Sequence, residues 1–250
     1  MTKAIILLAG KGSRLKNYTD NNHKALIKFN KMNFFEHQIN VLNYFNISNI
    51  TILLGHKSNL FEKYKLNKII NLKFRTTNMV YSLFKAVKII KNCKEDLIIS
   101  YGDIVYNKIV LRKLLKSKKE ISVIIDKEWK NLWRMRFKNV YDNAETCVIK
   151  NYKIVEIGKK SKDKRKFHGQ YIGLIKINKK KINEFYEILK KFASTKNFRK
   201  SFMTDFLVYL IQNNFNLSPI YIKRNWLELD TIKDLRLYRG EKIINKFRLL

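Results

Sequence analysis

The chain has 250 residues, 46% of them apolar, and carries 53 Lys and Arg against 20 Asp and Glu for a net charge of +33. That length and apolar content suit one α/β domain with a sizeable core, which excludes a disordered tail. The apolar runs fall far short of a membrane span, and Cys93 and Cys147 lie far apart with no zinc-like Cys/His spacing, so membrane insertion is excluded and a reduced, cytoplasmic protein is expected. The excess cations are spread along the whole length, among abundant Asn and Ile and a single proline, Pro219. They read as a solvated lysine surface that attracts polyphosphates, and no nucleic-acid partner is expected.

In chain order, Lys3 to Leu8 is an apolar run suited to a strand buried on both faces. Apolar spacing at Phe34, Phe35, Ile39, Leu42 and Phe45 predicts a helix, and Ile50 to Leu54 a second strand closed by Gly55. A third strand is expected over Ile69 to Phe74, then a helix over Met79 to Ile90 with Val80, Leu83, Phe84 and Val87 inward. Leu97-Ile98-Ile99 predicts a fourth strand ending in Ser100-Tyr101-Gly102-Asp103, and Ile121 to Ile125 a fifth. Residues 126–170 are irregular and charged, with short strands expected at Cys147–Lys150 and Lys153–Ile157. A strand over Tyr171 to Ile177 and helices near 180–193 and 203–214 follow. Alternating strands and helices with short links imply a mostly parallel, Rossmann-like sheet sandwiched by helices. With no Gly-, Pro- or Ser-rich linker and no repeat, we expect one domain over 1–250, with 126–170 as a lid-like insertion.

Ligands of such a sheet lie beyond the carboxyl ends of its strands. The first strand breaks into Ala9-Gly10-Lys11-Gly12-Ser13-Arg14-Leu15. A small, flexible backbone there can aim several N–H groups at one anion, with Lys11 and Arg14 adding charge; an ordinary glycine-containing strand exit fits the glycines equally well. A Walker A loop is ruled out by Ile5 and Gly12 at its defining positions, and a dinucleotide fingerprint by Leu15 at the third glycine. Asp103, directly after Gly102, is placed to hold Mg²⁺ on a triphosphate or to cap a turn. A later carboxylate group stands in Trp226-Leu227-Glu228-Leu229-Asp230. Thr77 or Asn78 can cap the helix that follows. Trp129 and Trp133, four apart with Arg134 and Arg136 following, can form one face of a short helix as core anchors or at the mouth of a site.

As an ordered set, these segments resemble the nucleotidyltransferases that make CDP-, UDP- or dTDP-activated compounds. That family opens with a strand and Leu-Ala-Ala-Gly-x-Gly-Ser/Thr-Arg-Leu, followed by a Lys in a Pro-Lys-x-Leu context. Here Leu8 replaces the first Ala, and the lysine is Lys24 in His23-Lys24-Ala25-Leu26, with His23 for Pro. Further on, Ala144-Glu145-Thr146, Ile157 to Lys160, Gly169 to Leu174 and Met203 to Leu207 look like the cytidylyltransferase branch that acts on phosphocholine, phosphonates or phosphoglutamine. The resemblance spans residues 2 to about 238. It implies the nucleotide-diphospho-sugar transferase fold and a reaction of CTP with a small phosphate or phosphonate acceptor, releasing pyrophosphate and feeding cell-surface modification. By the same resemblance, Leu8, Ala9, Gly10, Lys11, Gly12, Ser13, Arg14, Gly55, Asn78 and Ser82 would bind the nucleotide. Arg14 and Lys24 would act on the phosphates, and Asp103 and Asp230 would hold Mg²⁺. Trp129, Trp133, Arg136, Lys160 and Tyr171 would face the acceptor; Ser161 stands where the family has a Pro after that lysine. A homodimer is compatible with the family. The alternatives are a sugar-1-phosphate nucleotidyltransferase using UTP or dTTP, and a non-catalytic nucleotide- or nucleic-acid-binding protein.

Overall fold

A computed structural model describes residues 2–29, 32–238, 243 and 247 of the chain. Seven strands form the central sheet: β1 (Thr2–Leu8), β2 (Ile50–Leu54), β3 (Asn67–Ile70), β4 (Asp96–Tyr101), β5 (Ile121–Asp126), β6 (Gln170–Ile177) and β7 (Leu217–Ile222). Their spatial order is β7-β5-β6-β4-β1-β2-β3, all neighbours parallel except β6, which runs antiparallel to both β4 and β5. Strands alternate their side chains between two apolar layers. Ala4, Ile6 and Leu8 enter one core and Ile5 and Leu7 the other, which is why β1 is apolar at every position from Ala4 to Leu8.

Helices α1 (Phe34–Tyr44), α2 (Met79–Lys85), α3 (Val87–Lys91), α4 (Lys108–Lys116), α5 (Trp129–Arg136), α6 (Ile182–Ala193), α7 (Met203–Gln212) and α8 (Ile232–Tyr238) cover the two faces. α1, α4, α5 and α8 pack on the face of Leu8; α2, α3, α6 and α7 pack on the face of Leu7. Residues 126–170 contribute to both cores: Trp129, Trp133 and Phe167 enter one, and Ile154 and Ile157 of a hairpin the other.

Two expectations are corrected. The third strand ends at Ile70 rather than Phe74, because the Asn71 side chain takes over the local hydrogen bonding: its carbonyl accepts from Lys73 N–H at 3.0 Å and its amide donates to Thr77 and Ser82. The helix expected over 79–90 breaks at Ala86, whose φ of −89° and ψ of 11° leave the helical region. Beyond the expected strands, β7 closes one edge of the sheet and a two-stranded ladder pairs Ile104–Tyr106 with Trp226–Glu228.

Within β6 the pairing register shifts between Tyr171 and Ile175, around Gly173 at φ +86°. The alternation of side chains survives this shift: Ile172 and Leu174 enter one core, while Tyr171 and Ile175 enter the other. A Cβ on Gly173 would lie 2.4 Å from the Tyr101 ring, so only glycine fits.

The chain moves outward from β1 through β2 to β3, then returns to place β4 on the other side of β1. This is the switch point at which an open α/β sheet forms a crevice beyond its strand ends.

Candidate active site

A cavity of about 670 Å³ opens there, within the size range of small-ligand sites. Its floor is the loop after β1. Gly12, at φ +66°, turns the chain into a 3₁₀ segment over Ser13–Thr19, in a conformation that favours glycine. A Cβ on Gly12 would meet the Lys24 side chain at 2.9 Å, so the absence of one lets Lys24 pass close to the loop. Gly10 faces open space. Gly10, Ser13 and Arg14 are exposed along the cavity.

Lys24 is aimed by its neighbour. His23 is fully buried; its Nε2–H donates to the Leu8 carbonyl at 2.9 Å and its Nδ1 accepts from Ala25 N–H at 3.2 Å. Those two bonds define a neutral ring, and burial pushes its pKa down to about 3, helped by the charge of Lys24. The ring therefore ties the segment bearing Lys24 to the end of β1.

Asp103 follows directly from the sheet register. Leu7 pairs with Tyr101 across β1 and β4, and Gly102 N–H donates to Leu7 O at 3.0 Å, placing Asp103 beside the glycine loop. A Cβ on Gly102 would fall 2.2 Å from Leu8 and 2.6 Å from Leu7 O, so the close approach requires glycine. Lys24 Nζ donates to Asp103 Oδ2 in a partly shielded ion pair. Burial alone would lower the Lys24 pKa, but the Asp103 carboxylate reverses this and holds the ammonium above its ordinary value.

Asp230 arrives through the small ladder. Glu228 pairs with Ile104, and Leu229 N–H donates to Asp103 O at 2.9 Å, setting Asp230 next to Asp103. Asp126 fixes the start of this strand by accepting from Trp226 Nε1 at 2.9 Å and Arg224 N–H at 3.1 Å. Asp234 accepts from the N–H groups of both Asp230 and Thr231. Burial, then the like charge of Glu228, push the Asp230 carboxyl up to about 6, against the pull of Arg14 and Lys24. Arg14, its side chain 71% exposed, reaches across to pair with Asp230.

Of the residues expected at the nucleotide end, Leu8, Ala9, Gly10, Gly12, Ser13, Arg14, Asn78 and Ser82 line the cavity together with Lys24, Asp103 and Asp230. Lys11 is exposed but lies outside the lining, as does Gly55. Gly55 acts from behind: a Cβ there would meet Ala9 O at 2.7 Å, so it lets the two strand-end loops touch. Asn78 accepts from Met79 N–H at 2.9 Å at the start of α2, and Ser82 receives a bond from Asn71.

At the other end, Trp133, Arg136, Lys160 and Tyr171 line the cavity. Trp129 does not: it is 1% exposed and packs against Trp133, Tyr141 and Phe167, an anchor of the core rather than an acceptor contact. Arg136 is already committed. Its Nε and Nη2 grip Asp234 at 2.8 and 3.1 Å and its Nη1 holds Glu228 at 2.8 Å, so it braces the strand carrying Asp230 and is not a free phosphate hook. Lys160 Nζ donates to the carbonyls of Asp142 and Ala144. Further lining residues, including Phe74, Tyr101, Glu145 and Phe202, were not foreseen. Of these, Tyr101 had a local signal, since it directly precedes Gly102-Asp103.

A glycine loop, a lysine and two carboxylates thus meet at the switch point of this sheet. The chain belongs to the family of the MobA-like NTP transferase domain, which its residues 4–137 match. It is 37% identical over 248 residues to the CTP:phosphoglutamine cytidylyltransferase of Campylobacter jejuni, covering 94% of this chain and 98% of that one. Two solved structures share the fold. The CTP:phosphocholine cytidylyltransferase from Streptococcus pneumoniae matches with a TM-score of 0.76 at 22% identity, covering 97% of this chain and 99% of that one. The inositol-1-phosphate CTP transferase from T. maritima matches with a TM-score of 0.76 at 16% identity, covering 99% and 96%.

Proposed function

We propose that this protein is a Mg²⁺-dependent cytidylyltransferase that joins CTP to a small phosphate or phosphonate acceptor and releases pyrophosphate. The observation that carries this reading is the pairing of Lys24 with Asp103 and of Arg14 with Asp230 at the mouth of the glycine loop. That pairing supports the reading, because two cations suited to phosphates stand beside two carboxylates suited to a metal. The C. jejuni relative named for CTP and phosphoglutamine, matched along nearly its whole length, supports the choice of nucleotide and the kind of acceptor.

The donor set suits Mg²⁺. Among the described residues no group of three or more His, Cys, Asp or Glu is arranged to hold a metal by itself. Mg²⁺ on a triphosphate typically takes only one or two protein carboxylates, and Asp103 and Asp230 supply two. The pKa of Asp230 is raised first by burial and then by the like charge of Glu228, and a divalent cation here would offset both. When bound, Mg²⁺ would neutralise charge on the reacting phosphates.

In the reaction we propose, an anionic oxygen of the acceptor attacks the α-phosphorus of CTP in line. That oxygen is already nucleophilic, so no general base is required, and catalysis is positioning and charge neutralisation. Backbone N–H groups of Gly10 to Ser13, with Arg14, hold the triphosphate; Lys24 meets the charge that develops as pyrophosphate leaves. Asn78 and Ser82 border the base, and Trp133, Tyr171 and Lys160 border the acceptor. We place residues 126–170 in this scheme as the acceptor wall of a single domain acting in the cytoplasm. Among the described residues no helix is long and apolar enough to cross a membrane.

The test is pyrophosphate release with each of the four NTPs across a panel of phosphorylated and phosphonate acceptors. CTP with Mg²⁺ should give turnover, and EDTA should abolish it until excess Mg²⁺ is added back. Turnover with UTP or dTTP and a sugar 1-phosphate instead would overturn the reading.

A further inference from the structure

The strand that leads to Asp230 is entered through an unfavourable turn. Arg224 and Asn225, directly before it, both lie in the left-handed region, at φ +62° and +67°. A residue with a Cβ is disfavoured there, and two in succession persist only where their surroundings hold them. The group that holds them is Asp126, at the carboxyl end of β5.

Asp126 is 0% exposed, and among the described residues its carboxylate forms no ion pair. Its partners are N–H groups. Oδ1 accepts from Arg224 N–H at 3.1 Å and Glu128 N–H at 2.8 Å, and Oδ2 accepts from Trp226 Nε1 at 2.9 Å. Burial, the larger effect, pushes its pKa up, and these three donors pull it back. A carboxylate buried without a cation is a costly way to join segments, so what it joins is informative.

On one side it grips the turn and the first side chain of the strand Trp226–Glu228, two residues short of Asp230. On the other it fixes Glu128, where α5 begins. Glu128 pairs in turn with Arg224 at 2.8 Å, and the far end of α5 returns to the same strand through Arg136 and Glu228. The rings of Trp133 and Trp226 meet between these ties, 6.0 Å apart. Asp103 is set by the register of β4 against β1, whereas Asp230 depends on how this strand is seated.

We propose that Asp126 is a positioning residue of the reaction: by holding the turn at 224–225 it seats Asp230 where it can share a divalent cation with Asp103. Asp126 does not line the cavity and acts only through the strand. This rests on the cytidylyltransferase reading and extends its machinery to a group behind the site.

The experiment measures, by calorimetry, the affinity for a CTP analogue with a methylene bridge between its α- and β-phosphates, once in Mg²⁺ and once in EDTA. Mg²⁺ should tighten binding to the wild type. Asp126→Asn keeps the shape but turns an amide N–H toward a donor. It should cut the Mg²⁺-dependent gain about tenfold, the order found when support behind a metal ligand is lost, and leave affinity in EDTA within about twofold. A general loss of structure would weaken both arms alike. Glycine takes left-handed backbone without steric cost, so adding Asn225→Gly should return part of the gain. Should Asp126→Asn fail to fold, Trp226→Phe, which removes only the donor to Oδ2, makes the same comparison. An undiminished gain in the variant that folds, or an Asp126→Asn/Asn225→Gly protein no better than Asp126→Asn, would overturn the role of Asp126 and leave the cytidylyltransferase reading standing. A wild type that binds the analogue equally in Mg²⁺ and EDTA would instead remove the shared metal, and both would fall.

Discussion

The two ends of the cavity are built in opposite ways. The nucleotide end is a convergence of strand termini: the glycine loop, Lys24 and Asp103 come from β1, the turn behind it and β4, and their charges are paired with each other. The other end, where we place the acceptor, is a wall of residues from α5, β6 and the segment between them, rooted in the core and holding one carboxylate, Glu145, that forms no ion pair among the described residues. One end holds charges ready to change partners, and the other a shape with a single unmet demand. A fold can therefore keep the first constant for a shared chemistry and vary the second for different acceptors.

The largest effect should come from breaking the nucleotide end. Lys24→Ala and Asp103→Asn are each expected to lower kcat about 10³-fold while leaving the thermal transition near wild type. Rates within about tenfold of wild type would contradict the roles given to these residues.

Arg136 tests whether the acceptor wall also supports the nucleotide end. Its removal in Arg136→Met leaves Asp234, 1% exposed, without its cation, and a broken buried pair costs about 3 kcal/mol or more. Denaturant unfolding should show that loss. If Arg136 were only an acceptor contact, stability would hold and the acceptor KM alone would rise.

Gly12→Ala probes the approach of Lys24 to the loop. The left-handed conformation costs a non-glycine residue about 1–2 kcal/mol, and the new Cβ presses on Lys24. Steady-state kinetics should show kcat falling by more than the KM for the acceptor rises.

His23 supplies a pH-dependent counterpart. Its folded pKa of about 3 lies below the unfolded 6.5, so between those values the unfolded chain binds more protons. Stability from this group is present above pH 6.5 and is lost as pH falls. Between pH 7 and pH 5 the loss should be about 2 kcal/mol, and His23→Gln should lack that component in paired unfolding curves.

The smallest effect should be that of Trp129→Phe. A core anchor outside the cavity should cost about 1–2 kcal/mol of stability and leave the acceptor KM unchanged. A raised acceptor KM would return Trp129 to the site.

The same contrast explains what could be read from the residues alone. Asp103 was legible because a Gly-Asp pair after an apolar run marks a strand end, and strand ends are where such sheets bind ligands. Asp230 was legible only through resemblance. Its position depends on a ladder between Trp226–Glu228 and Ile104–Tyr106, residues far apart in sequence, which no local pattern reveals. Trp129 and Trp133 show the limit of helical spacing: four apart on α5 and in ring contact, one reaches the cavity and the other does not. The reversal of β6 and its register shift around Gly173 carried no signal beyond a glycine in an apolar run. Arg136 was noticed for its charge, but its commitment to Asp234 depended on a helix nearly a hundred residues later.

The two ion pairs at the glycine loop have a consequence for how ligands enter. With Lys24 on Asp103 and Arg14 on Asp230, the free site is internally neutral. A triphosphate arriving alone would draw off both cations and strand two carboxylates. A divalent ion arriving alone would claim the carboxylates and strand two basic groups. Metal and nucleotide arriving together exchange partners with all four groups at once, as in a double displacement between two salts, and each of the four protein groups keeps an opposite charge beside it. Each ligand should therefore strengthen the binding of the other, although neither needs to touch a distant part of the protein.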